Sequence, residues 1–552
     1  MVRGMSTPHP PQAWPAPAPA DLAALTRQAL ARCERRRTAV LLRLSVPQAV
    51  RDPWAALAPS SASANRLAAW DAGEGGLCFA ASGVVWEVET AGPQRLEAAG
   101  RACSRARERV MAARRAPGGW TRGAPEAPEL PQAPLFVGGF AFDDAPRAAG
   151  GDAPLRGGSG PDGSGPDWSG PDWSGWGACR WWIPSLLVWR HGAVGGGAVT
   201  LRVEPGEDPA GLERRVRALT RRLREALGRA ASAPAPAPSG VSLAPAPRFD
   251  EAAARAAWVT LVGDAREAIL AGPMAARGPG EAPEDLEKVV LARALPLDVR
   301  GPAEEAPLAL ARALRARVRH SVTFLLALEG RGAFVGATPE RLVEVGRGRA
   351  HTVALAGTAA RAADPAADRR AARALLDNPK DLHEHAVVVR AVTDALRPSC
   401  KTVAAPATPR VLSLGAVHHL ETPVVGDLAA PRHLLEVGAR LHPTPAVGGW
   451  PRAAARAWIA GHEPLDRGWY AGAVGHADAR GEGALMVALR SALVRGRRAW
   501  AFAGAGIVAA SDPRAEWDET GSKLRTVVDG AAVVGGASGG GASRGGSQEE
   551  KP

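Results

Sequence analysis

Lys288 opens the run Lys288-Val289-Val290-Leu291-Ala292-Arg293. A lysine at the head of an apolar, β-branched run is partly desolvated when the strand is central, and desolvation moves an amine toward the range useful for a general base. Glu340 closes Gly336-Ala337-Thr338-Pro339-Glu340, where proline fixes the bend and presents the carboxylate from a defined turn. A glutamate at a helix start is the plainer reading of the same residues. Glu384 lies in Lys380-Asp381-Leu382-His383-Glu384-His385. Residues two apart on a helix point to nearly opposite sides and HExxH spacing is absent, so His-Glu-His reads as a carboxylate for a hard cation rather than as a zinc site. Glu516, Glu519 and Lys523 share one helical face, at spacings of three and four. That spacing also describes an ordinary surface ion pair between Glu519 and Lys523. Upstream, Phe502-Ala503-Gly504-Ala505-Gly506-Ile507-Val508 has the small residues that let backbone approach a ligand, without the full GxGxxG pattern of a dinucleotide loop.

The elements that must position these groups read as α/β. Leu212, Val216, Leu219, Leu223 and Leu227 recur at helical spacing, and Ala253 to Leu270 carries a similar pattern. Phe324 to Leu328, a Gly-Arg-Gly turn and Ala333 to Val335 form one hairpin pattern; Leu485–Val494, Arg495-Gly496-Arg497 and Trp500–Val508 form another. Hairpins interleaved with helices predict an α+β fold, one large layered domain with antiparallel β-sheets faced by helices. Weaker strand signals at Leu135–Phe140 and Ile183–Trp189 place residues 21–230 in its N-terminal part, with residues 248–534 as the catalytic region. The imperfect repeat of Ser-Gly-Pro-Asp-Trp over 157–175 reads as a mobile surface insertion. The Ala/Pro stretch 231–247 reads as a connector. Residues 1–20 and 535–552 read as disordered tails.

Composition narrows the function classes. Of 552 residues, 68 are Lys or Arg against 56 Asp or Glu, a net charge of +12. Lysine occurs only at 288, 380, 401, 523 and 551, and asparagine only at 65 and 378, so arginine carries the positive charge throughout. That pattern fits a base-composition bias and has no basic stripe interleaved with aromatics, which argues against nucleic acid as partner. It also draws attention to Lys288 and Lys523, because arginine keeps its proton where a desolvated lysine can lose it. No run of eighteen apolar residues suggests a membrane span, and the first twenty residues lack the apolar core of a secretory signal. Five cysteines (Cys33, Cys78, Cys103, Cys179 and Cys400) with no CxxC pair fit a reducing, cytoplasmic setting.

Taken in order, seven segments resemble the chorismate-utilising enzymes, which include isochorismate, salicylate, anthranilate and aminodeoxychorismate synthases. They are Lys288–Arg293, Gly336–Glu340, Leu355–Thr358, Lys380–His385, Leu441–Ala446, Phe502–Ile507 and Glu519–Lys523, within a stretch covering roughly 250 to 530. The resemblance implies that family's fold and its chemistry. In isochorismate synthases the lysine matching Lys288 activates the water that attacks C2 of chorismate, and the glutamate matching Glu340 protonates the departing C4 hydroxyl. Carboxylates matching Glu384 and Glu519, with Glu516 close by, hold Mg²⁺. Residues matching Gly357, Thr358, Arg490, Gly504, Ala505 and Lys523 hold the substrate, and His419 lines the site. Ala356 stands where aminodeoxychorismate synthases commonly carry a second lysine, so water is the expected nucleophile. No obligatory glutamine amidotransferase subunit is expected. The expected activity is isochorismate synthase, an isomerase whose product feeds either menaquinone or siderophore biosynthesis. The alternatives are a salicylate synthase, which goes on to eliminate pyruvate, and a non-catalytic chorismate-binding or scaffold protein.

Overall fold

Apolar runs broken by glycine and proline become strands, and the runs with three-to-four spacing become helices laid over them. The computed structural model describes residues 19–57, 66–116, 119–122, 134–144, 170–232, 240–247, 249–272, 285–318, 320–414 and 417–532. The predicted tail at 535–552 and most of the one at 1–20 lie outside the described residues.

Two sheets form the frame. In the 14-stranded sheet, Ser242–Pro245, Lys288–Arg300, Arg498–Ile507, Ser491–Arg495, Gly332–Thr338 and Val322–Leu328 lie side by side. The sheet then continues into the N-terminal strands, beginning with Leu67–Asp71 against Val322–Leu328. The 10-stranded sheet likewise joins C-terminal strands, among them Arg349–Ala360 and Val417–Leu428, to Phe136–Phe140 and Cys179–Ile183. Pairing is antiparallel as predicted, except that Val40–Pro47 runs parallel to Val110–Ala116. The largest apolar core draws residues from both sheets, including Phe136, Trp181, Leu291 and Phe324. On the outer face of the larger sheet, the helix Pro209–Ser232 buries Leu212, Val216, Leu223 and Leu227, the predicted stripe, with Leu219 at its edge.

The chain changes sheet at several sharp corners that the apolar pattern alone does not reveal. The run Leu485–Val494 is not one strand: Gly483–Val487 belongs to the smaller sheet and Ser491–Arg495 to the larger. Arg490 sits at this break with φ of 47°, in the left-handed region that side chains avoid without a tertiary reason. Glu340 occupies a second such corner, between Gly332–Thr338 and Arg341–Gly346, so it follows a strand crossover and not a helix start. The two corners are stitched together: Ala337 N–H donates to the Arg490 carbonyl at 3.2 Å, and Val487 N–H to that of Glu340 at 2.9 Å.

The repeat region differs from its reading as a mobile surface insertion. Residues 157–169 lie outside the described residues, but the last repeat unit runs into the core. Trp173 is 4% exposed; its Nε1 donates to the Asp466 carbonyl at 3.1 Å, and its ring lies 5.8 Å from that of Phe502. The space is provided by Gly468, where a Cβ would fall 2.0 Å from the indole. A large aromatic burial of this kind outweighs the Gly/Pro tendency to stay solvated. Trp173→Ala should therefore destabilise the protein by about 3–5 kcal/mol, read as a lower urea midpoint with an unchanged m-value. The predicted connector also gains structure at both ends. The helix continues to Ser232, and Ser242–Pro245 pairs with Lys288–Arg300 as an edge strand, while 233–239 lie outside the described residues.

Candidate active site

The strand Lys288–Arg300 pairs with Arg498–Ile507 on one side and, over its first two residues, with Gly449–Trp450 on the other. Lys288 therefore starts inside a sheet, and its side chain is 16% exposed. Its Nζ donates to Glu384 Oε1 at 2.8 Å. Glu384 comes from the helix Pro379–Leu396, whose neighbouring His385 points the other way: it is buried, and its Nε2 shares a hydrogen bond with Thr422 Oγ1 at 2.7 Å. His383 is exposed, so the two histidines do not converge, as helical geometry requires.

Gly506, opposite Val290 in the register, makes room for the lysine: a Cβ there would lie 2.9 Å from Lys288 Cε. The displaced group would be the end of a flexible chain, not backbone. Gly506→Ala should thus leave thermal stability within about 1 kcal/mol of wild type while lowering turnover by about 10²-fold. Calorimetry and steady-state rates on one preparation separate the two effects.

Glu340 faces this amine from its corner. Burial raises its carboxyl to about 7, while Lys288, the Thr444 hydroxyl and Lys523 act in the opposite direction. A carboxylic acid that keeps its proton near neutrality is the state a general acid needs. Lys523, on the helix Pro513–Ala532, donates to the Gly504 carbonyl and to Glu519 Oε1, at 2.8 and 2.7 Å. The helical ion pair is therefore real, but the same ammonium also reaches across to the glycine-rich strand. At Gly504 a Cβ would stand 2.7 Å from the Leu291 carbonyl, so that position accepts only glycine; Ala505 beside it is buried.

On the smaller sheet, Gly357 marks a bulge in Arg349–Ala360 and has φ of 77°, which glycine adopts without strain. Thr358, next to it, pairs with His419 in the register. Burial lowers the pKa of His419; a hydrogen bond to the Gly357 backbone and the charge of Glu519 oppose this, while Lys523 and Arg490 add to it. His419 thus links the Gly357 bulge to Lys523, Arg490 and Glu519. Arg490 is half-buried, and among the described residues its guanidinium has no carboxylate partner. A desolvated cation of this kind suits an incoming carboxylate.

Glu516, one helical turn before Glu519, is raised by burial, with the Ser511 hydroxyl opposing and the Glu519 charge adding. Two crowded carboxylates are suited to a hard divalent cation. Glu384, in contrast, is engaged with Lys288, and among the described residues no three His, Cys, Asp or Glu side chains gather as a metal cluster. Electrostatic contacts thus run in a chain from Lys288 to Glu340, on to Lys523, and from Lys523 through His419 to Arg490. The three predicted metal carboxylates are not drawn into a single group.

Two residues escaped the sequence reading. Tyr470, the chain's single tyrosine, is buried, stacks on Phe502 at 5.2 Å and places its hydroxyl beside Gly504. As the rarest residue type in the chain, it stands out in the same way as Lys288 and Lys523. Thr444 lies in the segment Leu441–Ala446, but as a common residue type it drew no role of its own. A Ser413–His418–Asp368 hydrogen-bonded line also lies on the smaller sheet. There Asp368 is already taken by Arg361 and the Ala362 N–H, which makes it a tie between the helix Pro365–Asp377 and the sheet.

A family model described as chorismate binding enzyme matches residues 28–531. The chain belongs to that family. It is 45% identical over 220 residues to the salicylate biosynthesis isochorismate synthase of Pseudomonas aeruginosa, covering 40% of this chain and 46% of that protein. It is 39% identical over 242 residues to the isochorismate synthase MenF of Bacillus subtilis, covering 44% and 51%. The matched stretch therefore spans about half the length of these two relatives. The structure of MenF, the menaquinone-specific isochorismate synthase from Escherichia coli, superposes with a TM-score of 0.64 at 25% identity, over 91% of this chain and all of that one. The predicted layered α+β architecture is thus the fold of the chorismate-utilising enzymes. Among the described residues no helix is long and apolar enough to cross a membrane.

Proposed function

We propose that this protein is an isochorismate synthase. It adds water at C2 of chorismate, the ring double bonds shift, and the C4 hydroxyl leaves; one water enters and one departs, so the reaction is an isomerisation. Lys288 takes the proton of the attacking water and Glu340 gives its proton to the departing oxygen. The observation that carries this reading is the pairing of an amine with a carboxylic acid that burial keeps protonated to about pH 7. A module that only bound chorismate would have no use for such a pair. Arg490 and Lys523 suit the two carboxylates of the substrate, while Gly357 and Gly504 let the backbone come close. His419 bonds to the Gly357 backbone, Ala505 lies buried beside Gly504, and Thr358 adjoins the Gly357 bulge.

Glu384, Glu516 and Glu519 are the residues that would hold Mg²⁺. An all-oxygen donor set fits that ion, which commonly keeps several waters and takes few protein carboxylates. When bound, the ion supplies Lewis-acid stabilisation of the substrate's ring carboxylate. Water as nucleophile removes any need for an ammonia-supplying subunit.

The test is to incubate purified protein with chorismate and MgCl₂ and resolve the products. Isochorismate without pyruvate, lost on chelation and restored by Mg²⁺, is the expected result. Salicylate with pyruvate would move the protein to the synthase that eliminates pyruvate, and bound but unchanged chorismate would make it a binding module.

A further inference from the structure

Glu463 and Arg467 lie four residues apart just beyond the helix Arg452–His462, where an ordinary surface pair would be expected. Instead their side chains are 0% and 2% exposed, and Arg467 Nε donates to Glu463 Oε1 at 2.6 Å. A fully buried ion pair is costly to desolvate and has to be explained by what else it bonds. Here the bonds go to main chain. Arg467 donates to the Val290 carbonyl at 2.6 Å and to the Val447 carbonyl at 3.0 Å. Glu463 Oε2 accepts the Ala292 N–H at 2.8 Å. The guanidinium also lies 4.2 Å from the ring centre of Phe142.

These contacts occur where strand pairing stops. The two-residue strand Gly449–Trp450 covers Lys288 and Val289, and Val290 N–H still reaches the Gly448 carbonyl at 3.0 Å. Between that point and Leu297, where pairing with Ser242–Pro245 begins, this edge of Lys288–Arg300 has no strand neighbour, and the ion pair supplies the donor and acceptor that a strand would have supplied. The bond to Val447 fixes the turn whose first residue, Thr444, adjoins Glu340. The Arg467 carbonyl in turn accepts the Tyr470 N–H at 2.9 Å.

We infer that Glu463 and Arg467 are positioning residues: one buried ion pair sets the Lys288 strand against the Thr444 turn and so fixes the distance between the base and the acid. The catalytic part of this inference rests on the proposed isochorismate synthase reading; the structural part does not. Removing one charge alone risks unfolding, so the variants are Arg467→Lys, which keeps the charge but cannot reach both carbonyls, and the neutral double variant Glu463→Gln/Arg467→Gln. Each is measured for thermal stability, for kcat and KM with chorismate, and for hydrogen exchange at 288–292 and 444–450.

The expected result, in whichever variant folds, is faster exchange in both segments and a kcat lower by about 10²-fold, with KM within about threefold of wild type. Unchanged exchange in a folded variant overturns the inference, as does unchanged kcat. If the wild-type protein turns over no chorismate, the functional reading fails by itself. In that case exchange alone decides whether the pair positions the two segments.

Discussion

Lys288→Ala should lose about 10²–10⁴-fold in kcat, the usual contribution of one proton-transfer group, while the protein remains folded. The side chain emerges from the end of its strand, and its partner Glu384 is 33% exposed, so water can solvate the carboxylate left behind. A partly exposed pair of this sort contributes no more than about 1 kcal/mol. Lys288→Arg discriminates between two roles. Arginine restores the positive charge opposite Glu384, so a lysine that served only as a counter-ion would be replaced well. A base would not, because the guanidinium keeps its proton. The expected outcome is that both variants fail to the same degree under single-turnover conditions with saturating chorismate. Recovery of wild-type turnover by arginine would remove Lys288 from the chemistry and leave it an electrostatic role.

Much of this site was legible because its residues lie in short contiguous segments. Lys288 heads its apolar run, Glu516, Glu519 and Lys523 share a helical face, and Gly504 and Gly506 break a strand in which bulky residues would be favoured. Pattern and chemistry coincide in one stretch of chain, and the register then places them. The corners were not legible. Leu485–Val494 is apolar except for Arg490 and Ser491, and one polar pair does not show by itself that the chain changes sheet there; the break exists because two separate sheets each claim half of the run. The same limit applies to Trp173, where composition favoured a solvated loop and a notch at Gly468, almost three hundred residues away, decided otherwise. Glu463 and Arg467 have the spacing of a surface pair, and only the open edge of the Lys288 strand explains why they are buried.

Glu340 offers the sharper test, because its expected effect has a sign in pH. With a carboxyl near 7 in the free protein, the acid form falls away as pH rises through neutrality, so kcat/KM should decline on the alkaline side with an apparent pKa near that value. Glu340→Gln should lose about 10²–10⁴-fold and abolish that limb, since an amide cannot deliver a proton. Stability should follow the same group. Unfolded, the carboxyl returns to its ordinary value of 4.5, so between about pH 4.5 and 7 the folded state binds the extra proton. Its contribution is complete below that window and is lost as pH rises through it, which makes the slope of unfolding free energy against pH negative there. The glutamine variant removes this term and should flatten the slope relative to wild type, with no substrate present. A pH–rate profile and a series of urea midpoints from pH 4 to 8 read the two effects separately. An alkaline limb that persists in Glu340→Gln would assign the essential proton to another group, whereas an unchanged stability slope would mean that the buried carboxyl is ionised throughout that range.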